Sequence, residues 1–184
     1  MSTIEQAIKA AQAKLANPPV TRQMVGDDEV SRWIAQLAER GYIPSPQIVE
    51  PVRAYASGYG ILLAGNAGIG KTFLMQCLRA RLYTATSIAE YGLAAIAKWF
   101  SWTDGHDVCI DDIGTESIVS EYGAKDDVLK RVIAHRAEQQ RGRTSITTNL
   151  DAAAIKERYG DRTLSRILGM CKAFRMDGAN RRGV

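Results

Sequence analysis

Little in this 184-residue chain suits a membrane, an oxidising compartment or a metal cluster. It has 3 cysteines, an odd number with no CxxC pair, so neither a disulfide framework nor a zinc site is expected. No apolar run approaches the ~18 residues that cross a bilayer. The start, Met1-Ser2-Thr3-Ile4-Glu5-Gln6, lacks the charged and then greasy pattern of a secretory leader. Internal repeats and low-complexity segments are also missing, which disfavours solenoids and disordered tails. The expectation is a reduced, cytoplasmic protein without a membrane partner. With 46% hydrophobic residues, one ordinary domain plus a small appendage can be built without staples.

The net charge of +4 is modest but unevenly spread. Residues 1–60 carry 6 basic and 6 acidic groups, residues 61–140 carry 8 and 10, and residues 141–184 carry 10 and 4. The basic end holds Arg141, Arg143, Lys156, Arg158, Arg162, Arg166, Lys172, Arg175, Arg181 and Arg182. Such a stretch suits phosphates of a nucleotide or a nucleic acid, or is simply a solvated basic face.

The first 57 residues read as weakly amphipathic helices. Ile4, Ala7, Ile8, Ala11 and Leu15 have helical spacing before Asn17-Pro18-Pro19. A second helix is predicted to start at Asp27-Asp28-Glu29, which favour a helix N-terminus, and to run to Gly41. A third carries Ile48, Val49, Val52 and Tyr55. This front part would either pack on the domain after it or dock a protein partner. From residue 60 short apolar runs alternate with helical stretches. Strands are predicted at 61–64, 82–86, 108–110, 144–148 and 173–176, and helices at 71–81, 87–100, 124–140 and 151–168. Buried, non-alternating strands between helices indicate a parallel sheet covered on both faces.

Gly65-Asn66-Ala67-Gly68-Ile69-Gly70-Lys71-Thr72 fits the spacing GxxxxGK followed by Ser or Thr, between a strand and a helix. Glycines let backbone N–H groups wrap an anion, and the helix N-terminus adds its positive end. Lys71 would reach the β- and γ-phosphates of ATP, and the Thr72 hydroxyl would hold Mg²⁺. The apolar positions of the helix that opens there, Phe73, Leu74, Cys77 and Leu78, are predicted to share one buried side. Some 40 positions on, Asp111 and Asp112 end a hydrophobic strand. Carboxylates are costly on a buried strand, so their exit points to the same sheet edge. Asp111 would join the Mg²⁺ shell, and Asp112 would orient or deprotonate the attacking water. Asn149 ends the strand at 144–148, suited either to a γ-phosphate or, like Asp151, to a helix cap. Arg162 and Arg166, four apart on a helix, either reach a neighbouring subunit's phosphate or form surface pairs.

The order of these motifs, with Asp111-Asp112-Ile113-Gly114, Thr147-Thr148-Asn149-Leu150 and Gly160-Asp161-Arg162 through Arg166, resembles the AAA+ ATPases of the DnaC and IstB group. The similarity covers residues 46–182. It implies an α/β P-loop NTPase core of three layers, a parallel sheet with helices on both faces, at 58–184. A small helical segment at 1–57 would precede it as partner docking, with no C-terminal lid. By the same resemblance Asn149 is sensor 1, and Arg166, with Arg162 as fallback, is an arginine finger acting in trans. Tyr83-Thr84-Ala85-Thr86 would be the second strand. The helix after it would help touch single-stranded DNA, through Lys98, Trp99, Phe100 and Trp102 unless Trp99 and Phe100 are packed inside. Arg181 or Arg182 would at most partly replace a lid arginine. The implied activity is slow, oligomer-dependent ATP hydrolysis with Mg²⁺, coupled to loading a hexameric replicative helicase on single-stranded DNA. An IstB-like transposition helper, a small-molecule P-loop kinase and a non-hydrolysing ATP switch are the alternatives.

Overall fold

The computed structural model describes residues 22–116, 120–121, 124–125, 128–139 and 141–180. The helix expected at 4–15 and the arginines at 181 and 182 lie outside the described residues. Two helices come first, α1 (Asp27–Glu39) and α2 (Val49–Ala56), the latter entered through one 3-10 turn at Pro46–Ile48. The acidic trio Asp27, Asp28 and Glu29 occupies the first turn of α1, where the helix dipole favours it. Next come β1 (Gly60–Ala64), α3 (Lys71–Cys77), β2 (Arg81–Thr84), α4 (Ala85–Thr103), β3 (Val108–Ile113), α5 (Val128–Gln139), β4 (Thr144–Thr148), α6 (Ala152–Tyr159), α7 (Asp161–Met170) and β5 (Cys171–Arg175). A two-residue hairpin pairs Ser120–Glu121 with Ala124–Lys125.

The five strands form one sheet in the order β2-β3-β4-β1-β5, every pair parallel. Both faces are covered, which explains the absence of polar alternation in the strands. Ile61, Leu63 and Cys109 face a core with Leu37, Ile48, Val52, Tyr55, Leu74 and Met75, from α1, the 3-10 turn, α2 and α3. Leu62, Val108, Ile110 and Ile146 face the other core, with Ile88, Trp99, Leu129, Val132, Ile155 and Ile167 from α4 to α7. Each such fully buried aliphatic side chain contributes about 1.5–3 kcal/mol by leaving water. Residues 27–56 thus pack directly on β1 and α3.

Several local expectations are corrected. α3 stops at Cys77, not 81, because Arg79 takes a left-handed φ of 60° and β2 begins at Arg81. β2 ends at Thr84, whose hydroxyl accepts from the Ser87 N–H at 3.1 Å and so starts α4 two residues early. α4 is broken at Gly92, with φ 64° and ψ 179°. Ala124 and Lys125 are extended rather than helical. The predicted helix at 151–168 is two helices, parted by Gly160 at φ 84° and ψ 161°, a conformation that interrupts the backbone ladder. The last strand is Cys171–Arg175 instead of 173–176.

Candidate functional site

The carboxyl ends of β1, β3 and β4 converge on one pocket of about 400 Å³. Its walls include Ala67, Gly68, Gly70, Lys71 and Thr72 from the P-loop, together with Asp112 and Asn149. Gly70 caps α3 with a left-handed φ of 97°, and Gly68 has φ 82°, so the loop folds back on itself as an anion cradle requires. Asn66 and Ala67 are exposed in this loop, whereas Ile69 is anchored in the core. The Lys71 side chain is buried. Its ammonium donates to the carbonyls of Gly65 and Asn66 at 2.7 and 2.8 Å and to Asn149 Oδ1 at 2.9 Å. Asp151 is the residue that caps α6, accepting from the Ala154 N–H at 2.8 Å. Asn149 is therefore left to face Lys71.

Asp111 is buried and accepts from the Thr72 hydroxyl at 3.0 and 3.1 Å. It also accepts from the Thr147 hydroxyl at 2.6 Å. Among the described residues no cation pairs with this carboxylate, and a buried charge with two hydroxyls beside it fits a divalent ion held by Thr72 and Asp111. Asp112 has a left-handed φ of 54°, an uncommon conformation for a residue other than glycine, and its side chain turns into the pocket. A register shift between Ile110 and Ile113 accommodates the turn. The Asp112 N–H donates to Thr147 Oγ1 at 2.9 Å, so one hydroxyl holds both aspartates. Thr148 continues the pattern by donating to the Ile113 carbonyl at 2.8 Å.

Thr147 stood in the motif Thr147-Thr148-Asn149-Leu150 but was given no role of its own in the sequence. A hydroxyl on the strand at 144–148 beside the aspartates was the available signal. Also missed were Gly41, Tyr42 and Ile43 after α1, which line the pocket together with Phe73 and Gln76. Phe73 is not on the buried side with Leu74, Cys77 and Leu78. It is 41% exposed and stacks on Tyr42 at 5.9 Å, giving the pocket an apolar wall. Asn180 was missed as well: a Cβ on Gly68 would lie 2.0 Å from its Oδ1, so it lies directly against the P-loop. Behind Asp112, Glu116 accepts from the Gly114 N–H at 2.8 Å and from Tyr159 Oη at 2.5 Å, and pairs with Arg158 at 3.0 Å. This buried carboxylate ties the loop after β3 to the junction of α6 and α7.

Arg166 is not beside this pocket. It lines a different cavity at the amino-terminal edge of the sheet and meets Glu138 at 3.3 Å, while Arg162 is exposed on α7. Asp161 bonds Lys156 at 2.9 Å, not either arginine. Trp99 is 1% exposed, Phe100 stacks on His135 at 3.7 Å, and Trp102 is half exposed with the Lys98 ammonium 5.0 Å from its ring. Burial pushes the Cys171 thiol up to about 12 and raises Cys109 as well, so these cysteines are not thiolate nucleophiles. No helix among the described residues is long and apolar enough to cross a membrane.

No family model matches the chain, and no curated protein matches it in sequence. Its fold is that of three solved structures at low identity. The DnaC helicase loader matches with a TM-score of 0.60 at 19% identity, over 79% of this chain and 98% of the other. A candidate primosome component from Streptococcus pyogenes serotype M3 matches at 0.54 and 20%, over 88% and 86%. DnaI matches at 0.51 and 18%, over 87% of each.

Proposed function

We propose that the chain is a DnaC-like AAA+ ATPase that binds and hydrolyses Mg·ATP to load a replicative helicase on single-stranded DNA. The observation that carries this is the convergence of Lys71, Thr72, Asp112 and Asn149 on one pocket, with Asp111 bonded to Thr72, in a sheet with the order β2-β3-β4-β1-β5. The likeness to the solved DnaC helicase loader supports the biological half of the reading.

The residues divide the work by position. The loop from Gly65 to Thr72 offers backbone N–H groups to the phosphates, and Lys71, already aimed across the loop, adds a buried positive charge. Thr72 and Asp111 hold Mg²⁺, which when bound neutralises charge on the transferred phosphoryl group. Asp112 orients and deprotonates water, with Thr147 fixing its backbone. Asn149 places its amide at the γ-phosphate. Tyr42, Ile43 and Phe73 receive the base on their apolar side. Because Arg166 belongs to the opposite edge, it serves as a finger for a neighbouring copy, so subunits self-associate to turn over ATP. The front segment, 1–57, docks the helicase, with residues 27–56 anchoring it to the core at 58–184.

Titration of Mg·ATP into the wild type and Lys71→Ala tests the nucleotide half. Affinity should fall on the order of 100-fold, as expected for a lost buried charge on phosphate. Unchanged affinity would remove the P-loop assignment.

A further inference from the structure

Asp111 and Glu116 are the buried carboxylates among the described residues, and only Asp111 has a part in the reaction outlined above. A carboxylate that leaves water must have donors. Those of Glu116 come from two directions. From its own loop the Gly114 N–H donates to Oε2 at 2.8 Å. From the end of α6, Tyr159 Oη donates to Oε1 at 2.5 Å, and the Arg158 guanidinium donates to Oε1 at 3.0 Å and to the Glu116 carbonyl. Tyr159 is itself 3% exposed, so this anchor is shielded from water.

Asp112 needs such an anchor. A residue other than glycine keeps a left-handed φ, here 54°, when its surroundings over-determine it. The Asp112 N–H donates to Thr147 Oγ1, and its carbonyl accepts from the Thr115 hydroxyl at 2.7 Å. The peptide unit between Ile113 and Gly114 is then held at both ends. Its carbonyl accepts from the Thr148 hydroxyl, and its N–H donates to Glu116. Leu150 closes in beside it, since a Cβ on Gly114 would lie 2.6 Å from Leu150 Cδ1. Thr147 and Thr148 belong to β4 and Thr115 to the loop, whereas Glu116 leads to α6. That helix starts at the Asp151 cap, just past Asn149. One rigid element thereby sets Asp112 and Asn149 relative to each other.

We propose that Glu116 is a positioning residue for hydrolysis: held by Tyr159 and Arg158, it accepts from the Gly114 N–H and so keeps the Asp112 carboxylate aimed at the attacking water, a role that rests on the ATPase reading of the pocket. A merely stabilising ion pair would need the charge that faces Arg158. Positioning needs an acceptor oxygen at Gly114.

Glu116→Met and Glu116→Gln separate these roles in the full chain, by Mg·ATP titration and by single-turnover hydrolysis at saturating Mg·ATP. Both lose the charge opposite Arg158, but only Glu116→Gln keeps an oxygen for the Gly114 N–H. Glu116→Met should slow hydrolysis roughly tenfold while ATP affinity stays within about twofold of wild type, and Glu116→Gln should recover most of the rate. In an Asp112→Asn background, Glu116→Met should slow the residual hydrolysis by less than about twofold, because Glu116 acts through Asp112. Three results would overturn the proposal: a Glu116→Gln protein no faster than Glu116→Met, an ATP affinity that falls along with the rate, or a full loss that persists in the Asp112→Asn background. Should urea unfolding show that Glu116→Met does not fold, Tyr159→Phe keeps the ring and removes one anchor. It should slow hydrolysis about threefold at unchanged ATP affinity, and a wild-type rate there would equally overturn the proposal. A wild-type protein that binds no ATP or leaves it intact would remove the ATPase reading and this role together, whereas wild-type hydrolysis matched by Glu116→Met would remove this role only.

Discussion

The two edges of the sheet are built from the same strands and yet have opposite electrostatic designs. At the carboxyl edge the buried charges are Lys71 and Asp111, each side chain bonded to a group from another element, with the partly exposed Asp112 beside them. At the amino edge the charges are guanidiniums, and those with the firmest partners hold the fold. Arg136 and Arg143 knit together α5, the turn before β3 and the start of β4. One edge therefore leaves a lysine and a carboxylate pair at an open pocket, while the other holds its guanidiniums against Asp107, Glu138 and neutral acceptors. The same contrast goes with the place of Arg166, which lies outside the P-loop pocket. α7 runs antiparallel to the strands and hands straight over to β5 at Cys171, so residues near its end must lie at the amino edge.

Asp112→Asn should damage the carboxyl edge most severely. Asparagine tolerates the left-handed backbone, so the fold and ATP affinity should persist within a few-fold while turnover falls about 10²–10⁴-fold, the range for losing a general base. Steady-state phosphate release and nucleotide titration separate the two quantities. Thr147→Val is the next largest: it keeps the β-branched shape and removes the hydroxyl shared by Asp111 and Asp112. Turnover should fall on the order of tenfold, with a higher Mg²⁺ requirement in a metal titration.

Asp107→Asn probes the other edge with a smaller effect, on stability alone. Burial pushes the Asp107 carboxyl up, but the Arg143 guanidinium and N–H outweigh that and hold it below the usual aspartate range. A depressed value means that the contribution is present above the unfolded pKa of about 3.9 and is lost as pH falls through the folded value. The variant should lose about 2 kcal/mol at pH 7 in urea unfolding, and the gap to wild type should close toward pH 3. ATP binding should be unaffected.

Much of the carboxyl edge was legible in the chain because its chemistry is local. The P-loop occupies eight consecutive residues, and Asp111 and Asp112 end an apolar strand where charge needs a reason. Thr147 and Phe73 were not legible in the same way. Their roles depend on which strand lies beside β3 and on the turn after α1, both set by contacts distant in sequence. The split at Gly160 was missed because Ile155, Tyr159, Thr163 and Ile167 keep a helical spacing across it, and a glycine inside such a pattern does not reveal its φ. Asn149 was ambiguous in the chain between a helix cap and a phosphate contact; Asp151 takes the cap, and Asn149 accepts from Lys71. Arg162 and Arg166 were found by spacing, but only the path of α7 tells which edge they serve.

If each ATP site is completed by another copy's α7, two inactive proteins should rescue one another. Mixing Arg166→Ala protein, which keeps Asp112, with Asp112→Asn protein, which keeps Arg166, tests this most directly. Each alone should be nearly inactive. The equimolar mixture should recover ATP turnover at about a quarter of wild-type interfaces, the share in which both intact residues meet. A mixture no more active than either protein alone would contradict completion in trans.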